Sequence, residues 1–403
     1  MEIKMSFAGD LMCKLPQLKL SKKNNGYDFG VVFSHVEDLL KNSDYVVGNM
    51  ETPIAGSELG YTKAASNFNT PVEFAKAAKE AGFDFFAIAN NHCLDRGIQG
   101  LFNTIDNLKE INIDFTGGYK DKIESEIPFV TTIKGLRVAV LAYTYGTNSE
   151  WLNNVLNEEH KDCVDLFRQQ DAFKNVNNGK MSSIINPLKS MAKRILPQSV
   201  REKIKPIVIE DCVKETDLLP CDEYYDKKLR EKIKIAQENS DVVIMYMHSG
   251  GQFNSTVGEY TKVLAHRLVD YGCDFVIGSH PHCVLNYEIY NGKFIAYSLG
   301  NFCFTPNYGY QYKGVYSDYS IMVNLYFDVE KKTLSRKTIN VLKVVNETDG
   351  NSVVYPVFQL LEKLSNKQKQ LIINDVTAVL GRFFGLDFKC DPIQMEIPID
   401  SGC

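Results

Sequence analysis

The chain has 403 residues, 44% hydrophobic and 24% charged, with a net charge of −5; this balance marks a globular protein and gives no reason to expect nucleic acid as a partner. It holds no apolar run near the roughly 20 residues a membrane helix needs, and no basic-then-apolar leader opens it. Ten cysteines without a CxxC pair suit a reducing compartment, so the expectation is a soluble, cytoplasmic protein without a membrane segment.

Residues 3–7 alternate as a strand and end in Ala8-Gly9-Asp10. A helix over about 28–41 follows, then an apolar strand over 44–47 that ends in Gly48-Asn49-Met50-Glu51, which together make a βαβ unit. Thr70-Pro71-Val72-Glu73 has the form of a capping box with proline at the first helical position, and Gly82 ends that helix. Residues 83–89 form a buried strand running into Asn90-Asn91-His92, and Asp95-Arg96-Gly97 leads to a helix over 98–110. Residues 129–133 and 137–142 pair as antiparallel strands.

From about 146 to 220 the chain turns polar and lysine-rich around its single tryptophan, Trp151, with helical patches near 150–174 and 185–204. We read it as a mostly helical insertion, either a cap over the core or a passive elaboration. The α/β rhythm resumes with a helix at 222–239 and a buried strand at 241–247 that ends in His248. After a helix at 259–271, the strand 275–277 breaks at Gly278-Ser279 and delivers His280-Pro281-His282. Residues 288–290 and 294–297 flank Asn291-Gly292, a type I′ hairpin signal. The strand then closes in Ser298-Leu299-Gly300-Asn301-Phe302. Paired strands at 319–329 and 333–344 and a helix near 357–380 complete the chain.

Five apolar strands thus stop at polar residues able to bind metal, which places those residues along one rim of a sheet. Carboxylates, amides and imidazoles gathered at strand ends are ligands for divalent ions. His35, His160 and His266 fall outside the pattern and are expected to be ordinary structural or surface residues.

In order along the chain, Phe7-Ala8-Gly9-Asp10, Gly48-Asn49-Met50-Glu51, Ala89-Asn90-Asn91-His92 with Asp95 and Gly97, His248, Gly278-Ser279-His280-Pro281-His282 and Tyr297 through Phe302 resemble the motif series of the capsule and poly-γ-glutamate synthesis (CapA-type) proteins. That family is a branch of the calcineurin-like metallophosphoesterase superfamily. The resemblance implies a four-layer α-β-β-α metallophosphoesterase-like sandwich over 1–330, with 331–403 as a strand and helix extension. It also implies Asp10, Glu51 or Asn49, Asn91, His248, His280 and His282 as ligands to one or two Mn²⁺, Fe²⁺ or Zn²⁺ ions. His92 would be the catalytic acid oriented by Asp95, and Asn301 would contact a small-molecule or polymer substrate.

The sequence departs from the pattern at two places. Met12 stands where the superfamily commonly places a histidine two residues after the aspartate, so the ion on Asp10 is expected to be the weaker of two. His248-Ser249-Gly250-Gly251-Gln252 replaces the branch's usual His-Trp-Gly-x-Glu, which alters the pocket wall. Three functions follow as candidates: a metal-dependent hydrolase of a phosphoester or related bond, a non-catalytic accessory of poly-γ-glutamate or capsule synthesis, and a relic of the fold.

Overall fold

Alternation in the first strand sets the layering. Ile3, Met5 and Phe7 point one way into an apolar layer, while Ala8 and Leu11 join a different apolar cluster on the other side. A strand buried on both faces must lie at the centre of a sheet covered twice. Each such fully buried side chain contributes roughly 1.5–3 kcal/mol.

The computed structural model describes residues 1–63, 67–173, 223–304, 314–386, 388 and 391–399. Its strands are, in order, β1 (Glu2–Leu11), β2 (Lys22–Lys23), β3 (Gly26–Tyr27), β4 (Tyr45–Met50), β5 (Phe85–Ala87), β6 (Asp114–Thr116), β7 (Phe129–Ile133) and β8 (Leu136–Thr144). These are followed by β9 (Val242–His248), β10 (Phe275–Ser279), β11 (Tyr287–Tyr290), β12 (Lys293–Ala296), β13 (Asn301–Cys303), β14 (Tyr319–Asp328), β15 (Thr333–Asn346), β16 (Ser352–Pro356) and β17 (Ile397–Pro398).

One sheet runs β16-β15-β14-β1-β4-β5-β6, with β13 added on β1 and β17 on β15; the other runs β11-β12-β10-β9-β8-β7. In the first, β1, β4, β5 and β6 are parallel and β14 joins antiparallel. In the second, β8, β9, β10 and β12 are parallel between antiparallel edges. The two inner faces share one core, in which Phe7, Val47 and Phe85 meet Val140, Ile244 and Ile277. Helices Val72–Ala81 and Gly97–Glu110 cover the outer face of the first sheet. Helices Glu223–Asn239 and Glu259–Tyr271 cover that of the second. The result is a four-layer α-β-β-α sandwich of metallophosphoesterase-like type. Among the described residues no helix is long and apolar enough to cross a membrane.

Several expectations need correction. The strand ends do not share one sheet: β1, β4 and β5 belong to the first and β9 and β10 to the second, so the common rim is made by stacking two sheets. The helix expected over 28–41 is two short ones, Gly30–Phe33 and Glu37–Lys41, and between them the His35 ring stacks on Tyr355 at 4.2 Å. Thr70 caps no helix, because its hydroxyl pairs with that of Thr52 at 2.8 Å.

Among the described residues near 150–174 only Ser149–Leu152 is helical. Residues 163–167 run extended instead, held by Asp165 N–H to Gly117 O at 3.1 Å and Phe167 N–H to Thr144 O at 3.0 Å. The helix expected over 185–204 lies outside the described residues. Asn291 and Gly292 have φ of 48° and 75°, the left-handed pair a type I′ turn needs.

Candidate metal centre

Each strand end arrives through a tight local fit. A Cβ on Gly9 would lie 1.8 Å from the Gly300 carbonyl oxygen, and one on Gly278 2.0 Å from that of Tyr297. Only glycine lets β1 and β10 approach those neighbours, and each delivers its ligand one or two residues later. Beyond Ser279, His280 and His282 take φ of 99° and 56° around Pro281. Left-handed backbone at non-glycine residues costs of order 1–3 kcal/mol each and persists where the surroundings impose it. Here the strain accompanies two rings brought to one place, with centroids 5.9 Å apart.

Two donor groups result, Asp10/Glu51/His282 and Glu51/His248/His280, with the donor atoms of each within 4.8 Å of one another. Glu51 is common to both. It is fully buried, and among the described residues neither carboxylate oxygen has a hydrogen-bond partner; Oε1 lies 3.5 Å from His248 Nε2 and 3.7 Å from His282 Nε2. Burial, and then the adjacent charge of Asp10, push its carboxyl well above the usual range. The His280 Nε2 atom is likewise buried without a hydrogen-bond partner among the described residues. Burial, reinforced by the other imidazoles, holds His248 and His280 well below the usual histidine range, so these rings are neutral and have lone pairs to give. Carboxylate oxygens gathered with imidazole nitrogens in this way form a donor set that can hold a divalent cation.

The neighbouring side chains hold these donors in place. Asn49, expected as an alternative to Glu51, donates from Nδ2 to Asp10 Oδ1 at 2.8 Å, and its own oxygen accepts from Asn90 Nδ2 at 3.2 Å. It therefore orients Asp10, and Glu51 is left as the carboxylate shared by both groups. His248 Nδ1 lies 2.9 Å from Ser279 Oγ; the tautomer that donates there aims the Nε2 lone pair at the cluster. Asn91 Oδ1 lies 3.0 Å from His248 Nε2. Asn301, expected to meet substrate, instead sits behind His282: its oxygen is 3.0 Å from Nδ1, and its amide donates to the carbonyls of His282 and Ser317 at 3.0 and 2.9 Å. Met12 is buried in the apolar core with its side chain also on the cavity wall.

His92 stands beside the cluster. Its Nδ1 is 2.9 Å from Asp95 Oδ2, and that oxygen also accepts from Phe68 N–H at 2.6 Å. Asn148, in the stretch read as an insertion without motifs, links Asn91 and His92 at 3.2 and 3.4 Å. Tyr145 packs 4.8 Å from the His280 ring. No sequence signal marked either residue. Two cavities of about 300 and 340 Å³ adjoin the cluster and share Asn148, Trp151 and Gln252. Lys14 lines the first; burial lowers its ammonium to about 8 against the opposing pull of Glu51.

The chain thus has a four-layer sandwich of metallophosphoesterase-like fold, with carboxylates and imidazoles gathered at its strand ends. Within that class, the chain belongs to the bacterial capsule synthesis protein PGA_cap family, whose pattern matches residues 4–306. It is 28% identical over 309 residues to the capsule biosynthesis protein CapA of Bacillus anthracis, covering 75% of this chain and 60% of that protein. It is 26% identical over 302 residues to the PGA biosynthesis protein CapA of Bacillus subtilis, covering 74% and 62%. The chain thus spans about three-fifths of the length of these relatives. Among solved structures, a phosphatase of Mycoplasma pneumoniae aligns with a TM-score of 0.40 at 12% identity, over 85% of this chain and 93% of that one.

Proposed function

We propose that this protein is a metal-dependent hydrolase acting on a phosphoester or related bond, with Glu51 shared between two ion positions. One observation carries the reading: Glu51 is a fully buried carboxylate with no hydrogen-bond partner at either oxygen among the described residues, and both donor groups contain it. Asp10 and His282 would complete one position, and His248 and His280 the other, with Asn91 beside them. Ions held there would supply Lewis acidity and neutralise charge developing on the reacting oxygens.

The remaining roles fall to the protein's own side chains. Asp95 accepts from Nδ1–H of His92, which fixes the ring and leaves Nε2 as the nitrogen able to carry a proton to a leaving oxygen. Asn148 accepts from Asn91 Nδ2 and holds that side chain beside His92. Asn49 and Asn301 keep Asp10 and His282 aimed inward.

The test is turnover by the Mn²⁺-loaded protein against phosphomonoesters, phosphodiesters and γ-glutamyl peptides. His92→Ala is expected to lower turnover roughly 10²–10⁴-fold with metal content unchanged; equal loss of metal and activity would make His92 a ligand. The second reading is an accessory of poly-γ-glutamate or capsule synthesis that binds metal without turnover; the two Bacillus relatives are named for capsule and PGA biosynthesis, and their names state no reaction. Metal uptake with no turnover on any of these substrates would favour it.

A further inference from the structure

The loop that delivers His280 and His282 is held at three of its carbonyl groups by residues far apart in sequence. Pro281 O accepts from Phe253 N–H at 2.7 Å, and His282 O from Asn301 Nδ2 at 3.0 Å. Val284 O accepts from Arg382 Nη1 at 3.2 Å. Phe253 and Asn301 lie inside the stretch 4–306 that matches the family pattern, whereas Arg382 lies well beyond it. It belongs to helix Asn366–Phe384 of the C-terminal extension.

Asn301 and Arg382 repeat one pattern. Asn301 Nδ2 bridges the carbonyls of His282 and Ser317. Arg382 Nη1 bridges those of Val284 and Val315, the latter at 3.0 Å, and Nη2 reaches Gly314 O at 2.6 Å. The two side chains thus clamp the ligand loop to the segment 314–317 at points two residues apart on each. Both segments hold non-glycine residues in the left-handed region, His280 and His282 in one and Tyr316, with φ of 57°, in the other. Such backbone persists where its surroundings impose it. A planar guanidinium fork, with its donors in fixed directions, is suited to imposing it.

The helix that carries the fork is itself anchored. Val376, Val379, Leu380 and Phe383 are buried in the core shared by the two sheets, and the Tyr319 hydroxyl donates to Asp375 Oδ2 at 2.9 Å. Phe275 and Ile277 of β10 belong to the same core. Arg382 is therefore fixed relative to the strand from which the ligand loop leaves.

Resting on the metal-centre reading of this site, we propose that Arg382 is a positioning residue for His282. The C-terminal extension is then part of the metal centre, because it holds the ligand loop in the conformation that brings His282 to Asp10 and Glu51.

The test compares two variants of the full chain. Arg382→Met keeps the stem and removes the donors; Val379→Ala loosens the same helix without removing a hydrogen bond. Mn²⁺ binding is followed by electron paramagnetic resonance of the free ion, and stability by denaturant unfolding of the EDTA-treated protein. R382M should weaken the Asp10/Glu51/His282 position, the looser of the two, about 10–100-fold, as loss of a group that orients a ligand does. The Glu51/His248/His280 position should change little. V379A should lower stability and leave both Mn²⁺ constants unchanged. In the EDTA-treated protein, hydrogen exchange is read at the Phe253 and Leu285 amides, which donate to Pro281 O and Ser298 O. It should quicken in R382M by more than the loss of stability accounts for, and in V379A by no more than that.

Unchanged Mn²⁺ constants in R382M overturn the proposal. If R382M does not fold, Arg382→Lys keeps the charge without the fork and is judged the same way. A smaller weakening confined to the His282 position is then expected, and unchanged constants again overturn the proposal. Wild type that takes up no Mn²⁺ overturns the metal-centre reading, not the brace. There, and where wild type fills a single position, exchange alone decides: rates in R382M explained by stability alone refute the brace.

Discussion

Two of the buried carboxylate sites among the described residues, one at Asp165 and one at Asp10 and Glu51, differ in where the compensating charge comes from. Asp165, 1% exposed, accepts at Oδ2 from the Lys232 ammonium at 2.6 Å and from the Tyr119 hydroxyl at 2.8 Å. Its Oδ1 has no partner, but its charge is met within the protein. Asp10 and Glu51 are buried as deeply, yet they face His248, His280 and His282, two of which are held neutral by burial. In the first the chain supplies the cation and ties a helix to a loop; in the second the carboxylates meet imidazole donors that can hold a divalent cation.

The largest expected effect breaks the second cluster. Glu51→Gln keeps the shape but removes the shared charge, so elemental analysis after dialysis should find almost no bound metal. Retention of metal would show that Glu51 is not shared. Next comes the first cluster: Lys232→Met leaves Asp165 buried and unpaired and should cost about 3–5 kcal/mol in denaturant unfolding, while adding Asp165→Leu should recover most of that. A small loss in the single variant would mean the two clusters are not opposites.

Smaller still, Asn49→Ala frees Asp10 without removing a ligand and should weaken metal affinity about 10–100-fold, the usual effect of losing a group that orients a ligand. A half-exposed counterpart gives the lower bound. Asp241 pairs with Arg137 at 2.8 Å and Lys332 at 2.9 Å, and both cations are about half exposed. Asp241→Asn should cost less than about 1 kcal/mol. Hydrogen bonding from Arg137 holds the Asp241 carboxyl below its ordinary value of 3.8. Its contribution is therefore present above that value and lost as pH falls below it toward the folded-state value. Acid unfolding curves of wild type and D241N should converge in that low range.

Much of this was legible in the sequence because short-range rules governed it. Apolar runs ending in Asp10, Glu51, Asn91, His248 and His280 became strand ends, and Asn291-Gly292 became the expected turn. What stayed illegible depended on contacts distant in sequence. No local pattern tells that two sheets stack so that Glu51 of the first reaches His248 and His280 of the second. Nor does it tell that Asn301 backs His282. Thr70-x-x-Glu73 had the form of a capping box but lost its hydroxyl to Thr52, whereas Ser365-Asn366-Lys367-Gln368, of the same form, makes a real one. Asn148 and Lys14 entered the site from stretches without motifs, placed there by the backbone after β8 and β1.

The central claim is that Glu51 is the carboxylate shared between two ion positions. Anomalous diffraction from crystals grown with Mn²⁺ tests it most directly. The account predicts a strong peak among Glu51, His248 and His280, and a second, weaker one among Asp10, Glu51 and His282 on the side where Met12 offers no imidazole. The two should lie about 3.5–4 Å apart, as paired catalytic ions do. Strong manganese peaks elsewhere, with none in contact with Glu51, would contradict it.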